Sequence, residues 1–533
     1  MSVIVIAEKA SVENQIKKVF PEYHVTSVSG HIYQLVFKKY DKSSWLKTKL
    51  EDILDDSLMY IKSKSATKSF SNLKQVKDLK PTKIILACDP DEQGALIESH
   101  ILDYIAPKNA EIYKVKLESL STEGIKKAFS NMESYSDVGA LSGELRGKLD
   151  LRFGAILSRL ISLNTYYKSK RWTTFNTGRV QTPTLNFLVK RMNDQKNFIS
   201  KQYYQVELME SQYLPKHLIP HQFEDPIKDT NLEIKHLKVE PEVILPKKGF
   251  STDKLLITLA KEHAVFKKLG TPVTSLLSSM YLKGYITYPR TDTDSYDNYQ
   301  DLLEEIGVLY EKQHNVKPVF PTLQKQTKVT DHSPIVPLIT SSQTQDPLEL
   351  KVLKTLYDGL KKTLSGSNQY NRYFFSTLIN NQKLNFSILK PTSRNFDDGL
   401  AYVENLPLVI PSSFNVNIQV LSKSSKPLPP YTHATLLTQM KKQGVGTKST
   451  RTTIIENLVK NEFITVVKNT LCPTEKGMYL SKFWKLNWPA INSAELTKEI
   501  EELFPLKDKE QLLEYQNRYL KQLKGLLEQV PLK

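Results

Sequence analysis

Only two cysteines occur in this 533-residue chain, Cys88 and Cys472, and they are far apart in sequence. No C-x-x-C pair can be written, so a structural zinc ribbon and a disulfide framework are both excluded. The phosphate-loop pattern GxxxxGK[ST] is missing too. Its nearest approach, Gly444-Val-Gly-Thr-Lys-Ser-Thr450, has the wrong spacing, so ATP use is not expected. There is no apolar run of about 18 residues, and the N-terminus enters a strand without a signal peptide. We therefore expect an intracellular protein with no membrane span. No internal repeat is found.

Acidic residues are outnumbered. Against 57 Asp plus Glu stand 74 Lys plus Arg, a net charge of +17. That excess fits a polyanion such as nucleic acid without saying which, and a basic solubility surface would give the same count. The length exceeds what one hydrophobic core usually supports, so three or four domains are expected.

What is present is led by Gly284-Tyr-Ile-Thr-Tyr-Pro-Arg-Thr-Asp292. Tyr288 stands between a strand-like segment and a proline, with Arg290 two residues on. A phenol has an ordinary pKa of about 10, so a fixed guanidinium beside it would stabilise both a phenolate and the charge of a phosphorane-like transition state. This is chemistry for covalent attack on a phosphodiester. A lone Tyr-Pro-Arg would equally be a loop tyrosine packed on proline; the rest of the chain decides.

Val3-Ile-Val-Ile-Ala7 and Lys83-Ile-Ile-Leu-Ala-Cys88 read as buried strands of a mostly parallel sheet, whose ligands gather at the strands' carboxyl ends. Glu8, Asp89 and Asp91 lie there. On an extended segment, carboxylates at i and i+2 point to one side and would suit a hard cation, although turn chemistry also explains Asp-Pro-Asp. Residues 61–74 are serine-rich and basic and are expected to form a flexible surface excursion. From 142 to 192 the pattern is helical, with Arg146, Arg152, Arg159 and Arg179 on an expected solvated basic face. Residues 201–245 and 370–422 alternate like strands and are expected to pair, with helical residues 250–364 inserted between them. After a linker at 422–430, helix, glycine turn, helix and strand over 433–467 resemble a winged helix-turn-helix.

Ile6-Ala-Glu-Lys9, Gly30-His31, Asp89-Pro-Asp91 with Gly94, Asp150-Leu-Arg152 with Gly154 and Ser158-Arg159, Thr177-Gly-Arg-Val-Gln-Thr-Pro183, Ile286-Thr-Tyr-Pro-Arg-Thr-Asp292, Asp331-His332, the Gly444–Thr450 run and Pro473-Thr474 with Gly477 together resemble the type IA DNA topoisomerases, in order and approximate spacing. The Gly-Thr-Lys-Ser-Thr-Arg form is most like archaeal members.

The resemblance implies a multidomain α/β and α+β fold: a Toprim (Rossmann-like) domain over 1–140, a helical, winged-helix-like domain over 141–198 and 425–533, a β hinge domain over 199–250 and 366–424, and a tyrosine domain over 251–365, closing into a toroid. It further implies that Tyr288 cuts one strand of DNA through a 5′-phosphotyrosine link, that another strand passes the gap, and that the cut is resealed without ATP or zinc. Arg290 and Lys9 would stabilise phosphate charge, Glu8 would move a proton at the leaving oxygen, and His332 would sit near the tyrosine. Mg²⁺ would be held by Glu8, Asp89 and Asp91. His31, Arg152, Ser158, Arg159, Arg179, Gln181, Lys448 and Thr450 would contact DNA with single-stranded regions. A cytoplasmic, nucleoid-associated monomer is the corresponding expectation.

The chain departs from the family's Asp-x-Asp-Arg-Glu-Gly-Glu. It reads Asp89-Pro-Asp-Glu-Gln-Gly-Ala95, so Gln93 and Ala95 replace acids and Glu92 replaces arginine. His433 also stands where an acid is common. A neutral amide adds no charge, so metal affinity should fall. The alternative is thus a DNA-binding homologue with little turnover. A Toprim nuclease or primase would explain the acids but not the tyrosine run.

Overall fold

The computed structural model describes residues 3–38, 49–55, 58–245, 248–266, 271–321, 332–407, 409–448, 450–503 and 509–530. Near the N-terminus a five-stranded sheet runs in the order His24–Ser27, Val3–Ala7, Lys83–Ala87, Glu111–Lys114, Glu133–Ser134. The first four strands are parallel and the last is antiparallel. Ile4, Val5, Ile6, Ile84, Ile85 and Leu86 are fully buried, as continuous apolar strands between helix layers should be. Alternate residues feed two separate cores: Val5 and Ile85 face one, Ile4, Ile6, Ile84 and Leu86 the other. Glu8 and Asp89 emerge together from the carboxyl ends of the two central strands.

The serine-rich stretch is not an excursion. Helix Thr67–Asp78 covers most of it, with Ser69, Leu73 and Val76 buried. Ala66, Ser69 or Phe70, Leu73 and Val76 recur at three- to four-residue spacing, and this inward stripe outweighs the polar composition.

A six-stranded antiparallel sheet joins the two alternating stretches, in the order Gln382–Ser393, Asn368–Ile379, Asn231–Ile244, Ser413–Ser424, Gln202–Leu208, His217–Leu218. It has its own core around Val206, Ile234, Phe375 and Phe386. Helices Thr252–Glu262, Thr271–Leu282, Gln300–His314 and Pro347–Thr363 lie between its two halves in sequence. Their apolar faces share one continuous core with the N-terminal sheet and the long helix Val138–Ser169. Beyond the six-stranded sheet, helices His433–Lys442 and Arg451–Lys460 lead into the hairpin Ile464–Val467 with Thr470–Pro473, giving the helix-turn-helix and wing. Among the described residues no helix is long and apolar enough to cross a membrane.

Candidate active site

Tyr288 is held by its neighbours in sequence and in space. Thr287 Oγ1 donates to the Pro334 carbonyl at 2.9 Å and accepts from Val336 N–H at 3.0 Å. Thr252 Oγ1 donates to the carbonyl oxygens of Pro289 and Thr291 at 2.7 and 3.0 Å and accepts from Thr291 N–H at 2.8 Å. These buried hydroxyls fix the loop on both sides of the tyrosine. Neither threonine was a sequence candidate, and a hydroxyl within the tyrosine run is the only signal for Thr287.

The tyrosine itself reaches across to the N-terminal sheet. Its N–H donates to the Glu118 carbonyl at 2.9 Å, and Tyr281 donates its hydroxyl to the Leu117 carbonyl at 3.1 Å. Tyr288 Oη–H donates to Asp89 Oδ2 at 3.1 Å. The ring is 3% exposed, edge-on to Tyr281 and 4.7 Å between centroids from His332. Burial first, then the charges of Asp89 and Asp91, hold the phenol well above its ordinary pKa; the exposed Arg290 opposes them.

Asp89 is the hub. Lys9 Nζ lies 2.7 Å from Asp89 Oδ2 and 3.1 Å from Glu8 Oε1. Burial works against the Lys9 charge, but the two carboxylates outweigh it and raise its pKa. Glu8 Oε2 accepts from Asp89 N–H at 3.1 Å. Burial and the adjacent Asp89 push the Glu8 carboxyl up despite Lys9, so this group can hold a proton nearer neutrality.

Asp89-Pro90-Asp91 is a tight turn and not an extended segment, because Asp91 N–H donates back to the Asp89 carbonyl at 2.8 Å. Asp91 then N-caps helix Glu92–Ile105, its Oδ1 accepting from Gln93 N–H at 3.1 Å and Gly94 N–H at 2.9 Å. Gly94 is required by close approach: a Cβ there would lie 1.8 Å from the Asp89 carbonyl oxygen.

Among the described residues no group of three or more His, Cys, Asp or Glu is arranged to hold a metal. Both Glu8 oxygens already have a partner, Oε1 the Lys9 ammonium and Oε2 the Asp89 N–H. Asp89 Oδ1 and Asp91 Oδ2 accept no hydrogen bond from the described residues. Two carboxylate oxygens with water completing the shell fit a hard divalent cation. Gln93 is exposed and its Oε1 lies 3.1 Å from His31 Nε2, so the substituted amide is tied to the histidine. Gly30, at φ +77°, makes the turn that delivers His31 there. Ala95 is 6% exposed against the long helix, where an acid would be desolvated.

His332 is buried, and burial, aided by the nearby Lys448 and Lys116 charges, pushes its pKa down to about 3. It faces Tyr288 as a neutral imidazole. Its sequence neighbour Asp331 lies outside the described residues, as does Ser449 of the glycine-turn motif. Lys448 is half-exposed, whereas the Thr450 hydroxyl accepts from Thr447 N–H at 2.9 Å and shapes the turn. Arg451, which sequence reasoning missed, donates to Asp253 Oδ2 at 2.6 Å while both are buried, linking this turn to the helix beneath the tyrosine loop.

The expected basic face of the long helix is not solvated. Arg152 and Arg159 are 8% and 3% exposed. Arg179 is 2% exposed and pairs with Asp150 Oδ1 at 2.5 Å and Glu501 Oε1 at 2.8 Å, so its guanidinium is spent within the protein. The Ser158 hydroxyl donates to the Thr177 carbonyl at 3.0 Å and accepts from Thr177 N–H at 2.9 Å, pinning the loop that carries Arg179. Gln181 opens helix Gln181–Lys196 and is half-buried. His433 is 6% exposed at the start of its helix, a position for packing.

The parallel sheet carries acids at its strand ends, and a separate helical segment delivers the tyrosine to them. The Toprim domain family matches residues 3–120, and the DNA topoisomerase family matches residues 137–506. The chain belongs to the type IA DNA topoisomerase family. DNA topoisomerase 1 of Thermoplasma acidophilum is 26% identical over 517 residues, covering 90% of this chain and 64% of that protein. DNA topoisomerase 1 of Archaeoglobus fulgidus is 26% identical over 511 residues, with 90% and 73% covered. Human DNA topoisomerase 3-beta-1 is 24% identical over 501 residues, with 86% and 57% covered. The chain thus spans a little under two thirds of the Thermoplasma relative's length. Full-length topoisomerase I from Thermotoga maritima has the same fold, with a TM-score of 0.74 at 18% identity over 99% of this chain and 90% of that one.

Proposed function

We propose that this protein is an ATP-independent DNA topoisomerase that cuts and reseals one strand through Tyr288. The observation that carries this reading is the convergence on Asp89: Tyr288 Oη at 3.1 Å and Lys9 Nζ at 2.7 Å, from two separate parts of the fold. Tyr288 Oη forms a bond to phosphorus, its proton passes to the carboxylate of Asp89, and the bond from phosphorus to the 3′-oxygen breaks. Glu8, with its raised pKa, gives the leaving oxygen a proton. Resealing reverses each transfer, and because one phosphoester replaces another, no nucleotide is consumed. Lys9 and Arg290 oppose the charge that builds on the phosphoryl oxygens, and neutral His332 packs the tyrosine ring. Toprim domains bind divalent metal; here Asp89 and Asp91, with Glu8 beside them, would hold Mg²⁺, which would supply positive charge beside the phosphate.

We assign residues 1–140 to the Toprim part, 141–198 and 425–533 to the DNA-gripping part, 199–250 and 366–424 to the hinge, and 251–365 to the tyrosine part. Single-stranded DNA would meet His31, Gln181 and Lys448 directly. Arg152, Ser158, Arg159, Arg179 and Thr450 would act by shaping the surface. Since Tyr288 and Tyr281 bond to the carbonyls of Glu118 and Leu117, this contact must part for a strand to pass.

The test is relaxation of negatively supercoiled plasmid with and without Mg²⁺, stopped by denaturant. Relaxed plasmid and protein bound covalently to a 5′ end are expected. Plasmid left supercoiled with no covalent protein under any metal condition would overturn the reading.

A further inference from the structure

Helix Val138–Ser169 has 32 residues, a length of about 48 Å, and its far end carries side chains that the cleavage site does not use. Tyr166, Tyr167 and Trp172 are 39%, 43% and 45% exposed. The ring of Tyr166 lies 5.9 Å from that of Tyr167 and 5.9 Å from that of Trp172. They are held in place. Trp172 Nε1 donates to Thr174 Oγ1 at 3.2 Å, and Ser169 Oγ donates to the Thr165 carbonyl at 2.8 Å while accepting from Arg171 N–H at 3.2 Å. Three clustered, solvent-facing aromatic rings are not what a surface needs for solubility.

Lys168, Lys170 and Arg171 are exposed among these rings. From residue 151 to 193 the sequence contains eight Lys or Arg and no Asp or Glu. Arg179 is paired with Asp150 and Glu501, whereas Lys168, Lys170 and Arg171 form no ion pair with a described acid. The rings also connect with the rest of the helical domain. Arg152, Arg159 and Tyr166 recur every seven residues along one stripe of the helix. In the other direction Thr165 Oγ1 donates to Tyr479 Oη at 3.4 Å, and the Tyr479 ring lies 5.9 Å from Phe175, with Lys476 Nζ 5.8 Å from that ring.

We propose that Tyr166, Tyr167 and Trp172, with Lys168, Lys170 and Arg171, form a base-stacking platform for single-stranded DNA outside the cleavage site. Aromatic faces accept any base, and cations beside them track the backbone; both are needed for single strands, whereas duplex DNA hides its base faces. An apolar protein partner would leave the three cations unexplained. The proposal rests on the reading of the protein as a DNA topoisomerase, since that reading supplies the strand.

The test uses the full chain and labelled oligonucleotides of about 8 and about 30 nucleotides, bracketing the span of a single groove and a longer path. Anisotropy titrations would compare wild type with Tyr167→Ala/Trp172→Ala and with Lys168→Ala/Lys170→Ala/Arg171→Ala. All five side chains are exposed, and unchanged melting temperatures check that folding is intact. The aromatic pair should weaken the long oligonucleotide about tenfold, as loss of stacking on about one base predicts, and leave the short one bound and cut as before. The basic triple should flatten the slope of log K against log salt by about 2, near 0.7 per lost phosphate contact.

Equal long-strand affinity in the aromatic variant would overturn the platform, as would equal loss on both lengths, which would place the residues at the cleavage site. Trp172-dependent binding to duplex, RNA or acidic vesicles in preference to single-stranded DNA would also overturn it. If wild type traps no covalent DNA, yet length-dependent binding still falls with Trp172, the platform stands and the cleavage reading fails.

Discussion

Tyr288 donates its phenolic hydrogen to Asp89 at 3.1 Å across 199 residues of sequence. The same Asp89 oxygen is 2.7 Å from Lys9. On the proposed function, the nucleophile, an acceptor for its proton and a cation are therefore assembled in one place.

Tyr288→Phe removes that hydroxyl with little change in volume. DNA binding should stay within about threefold of wild type, below the 1.4 kcal/mol that a tenfold change represents. Covalent complex on denaturing gels should vanish. Cleavage that persists in this variant would transfer the nucleophile's role elsewhere.

Lys9→Ala leaves Glu8 and Asp89 facing each other without their cation. Single-turnover cleavage of a short oligonucleotide should slow about 10²-fold, as for loss of one preorganised electrostatic group, with binding retained. Lys9→Arg should recover part of the rate. A cleavage rate equal to wild type in Lys9→Ala would remove Lys9 from the mechanism.

Gly94→Ala places a methyl group where the Asp89 carbonyl oxygen would be 1.8 Å away. Backbone cannot yield as a flexible side chain can. We expect a loss of about 2–4 kcal/mol in denaturant unfolding together with reduced cleavage, because the turn that presents Asp89 must open. Wild-type stability in this variant would show that the helix start is looser than the structure has it.

His332 titrates at about 3 when folded, against 6.5 for an ordinary histidine. As pH falls, the unfolded chain takes up this proton first. The stabilising contribution is thus whole above about 6.5 and is lost progressively toward about 3. Between pH 7 and pH 4 the melting temperature of wild type should fall further than that of His332→Gln. Parallel curves would mean that His332 is solvated in solution.

Gln93→Glu adds a carboxylate beside Asp91 and changes the partner of His31. The Mg²⁺ dependence of plasmid relaxation should shift to lower concentration, while Asp89→Ala or Asp91→Ala should shift it upward or abolish relaxation. Cleavage of a single-stranded oligonucleotide should respond less to Gln93→Glu. Identical titrations for all four proteins would place the working cation elsewhere.

The sequence by itself determined the elements whose signals are local. Continuous apolar strands at 3–7 and 83–87, alternation at 202–208 and 368–379, and the glycine turn at 444–446 each reflect a periodicity or backbone requirement that neighbouring residues express without help. The tyrosine run was legible for the same reason. Tertiary structure decided what each polar group meets. Asp91 became a helix cap as well as a candidate ligand, both Glu8 oxygens were taken by Lys9 and a backbone amide, and Arg179 was drawn between Asp150 and Glu501. Composition misread residues 61–74, where Leu73 and Val76 had a core to enter that only the folded sheet provides. The Asp89 N–H lies 81 residues from Glu8, and Asp150 and Glu501 lie 29 and 322 residues from Arg179, so these pairings depend on distances that no local pattern encodes.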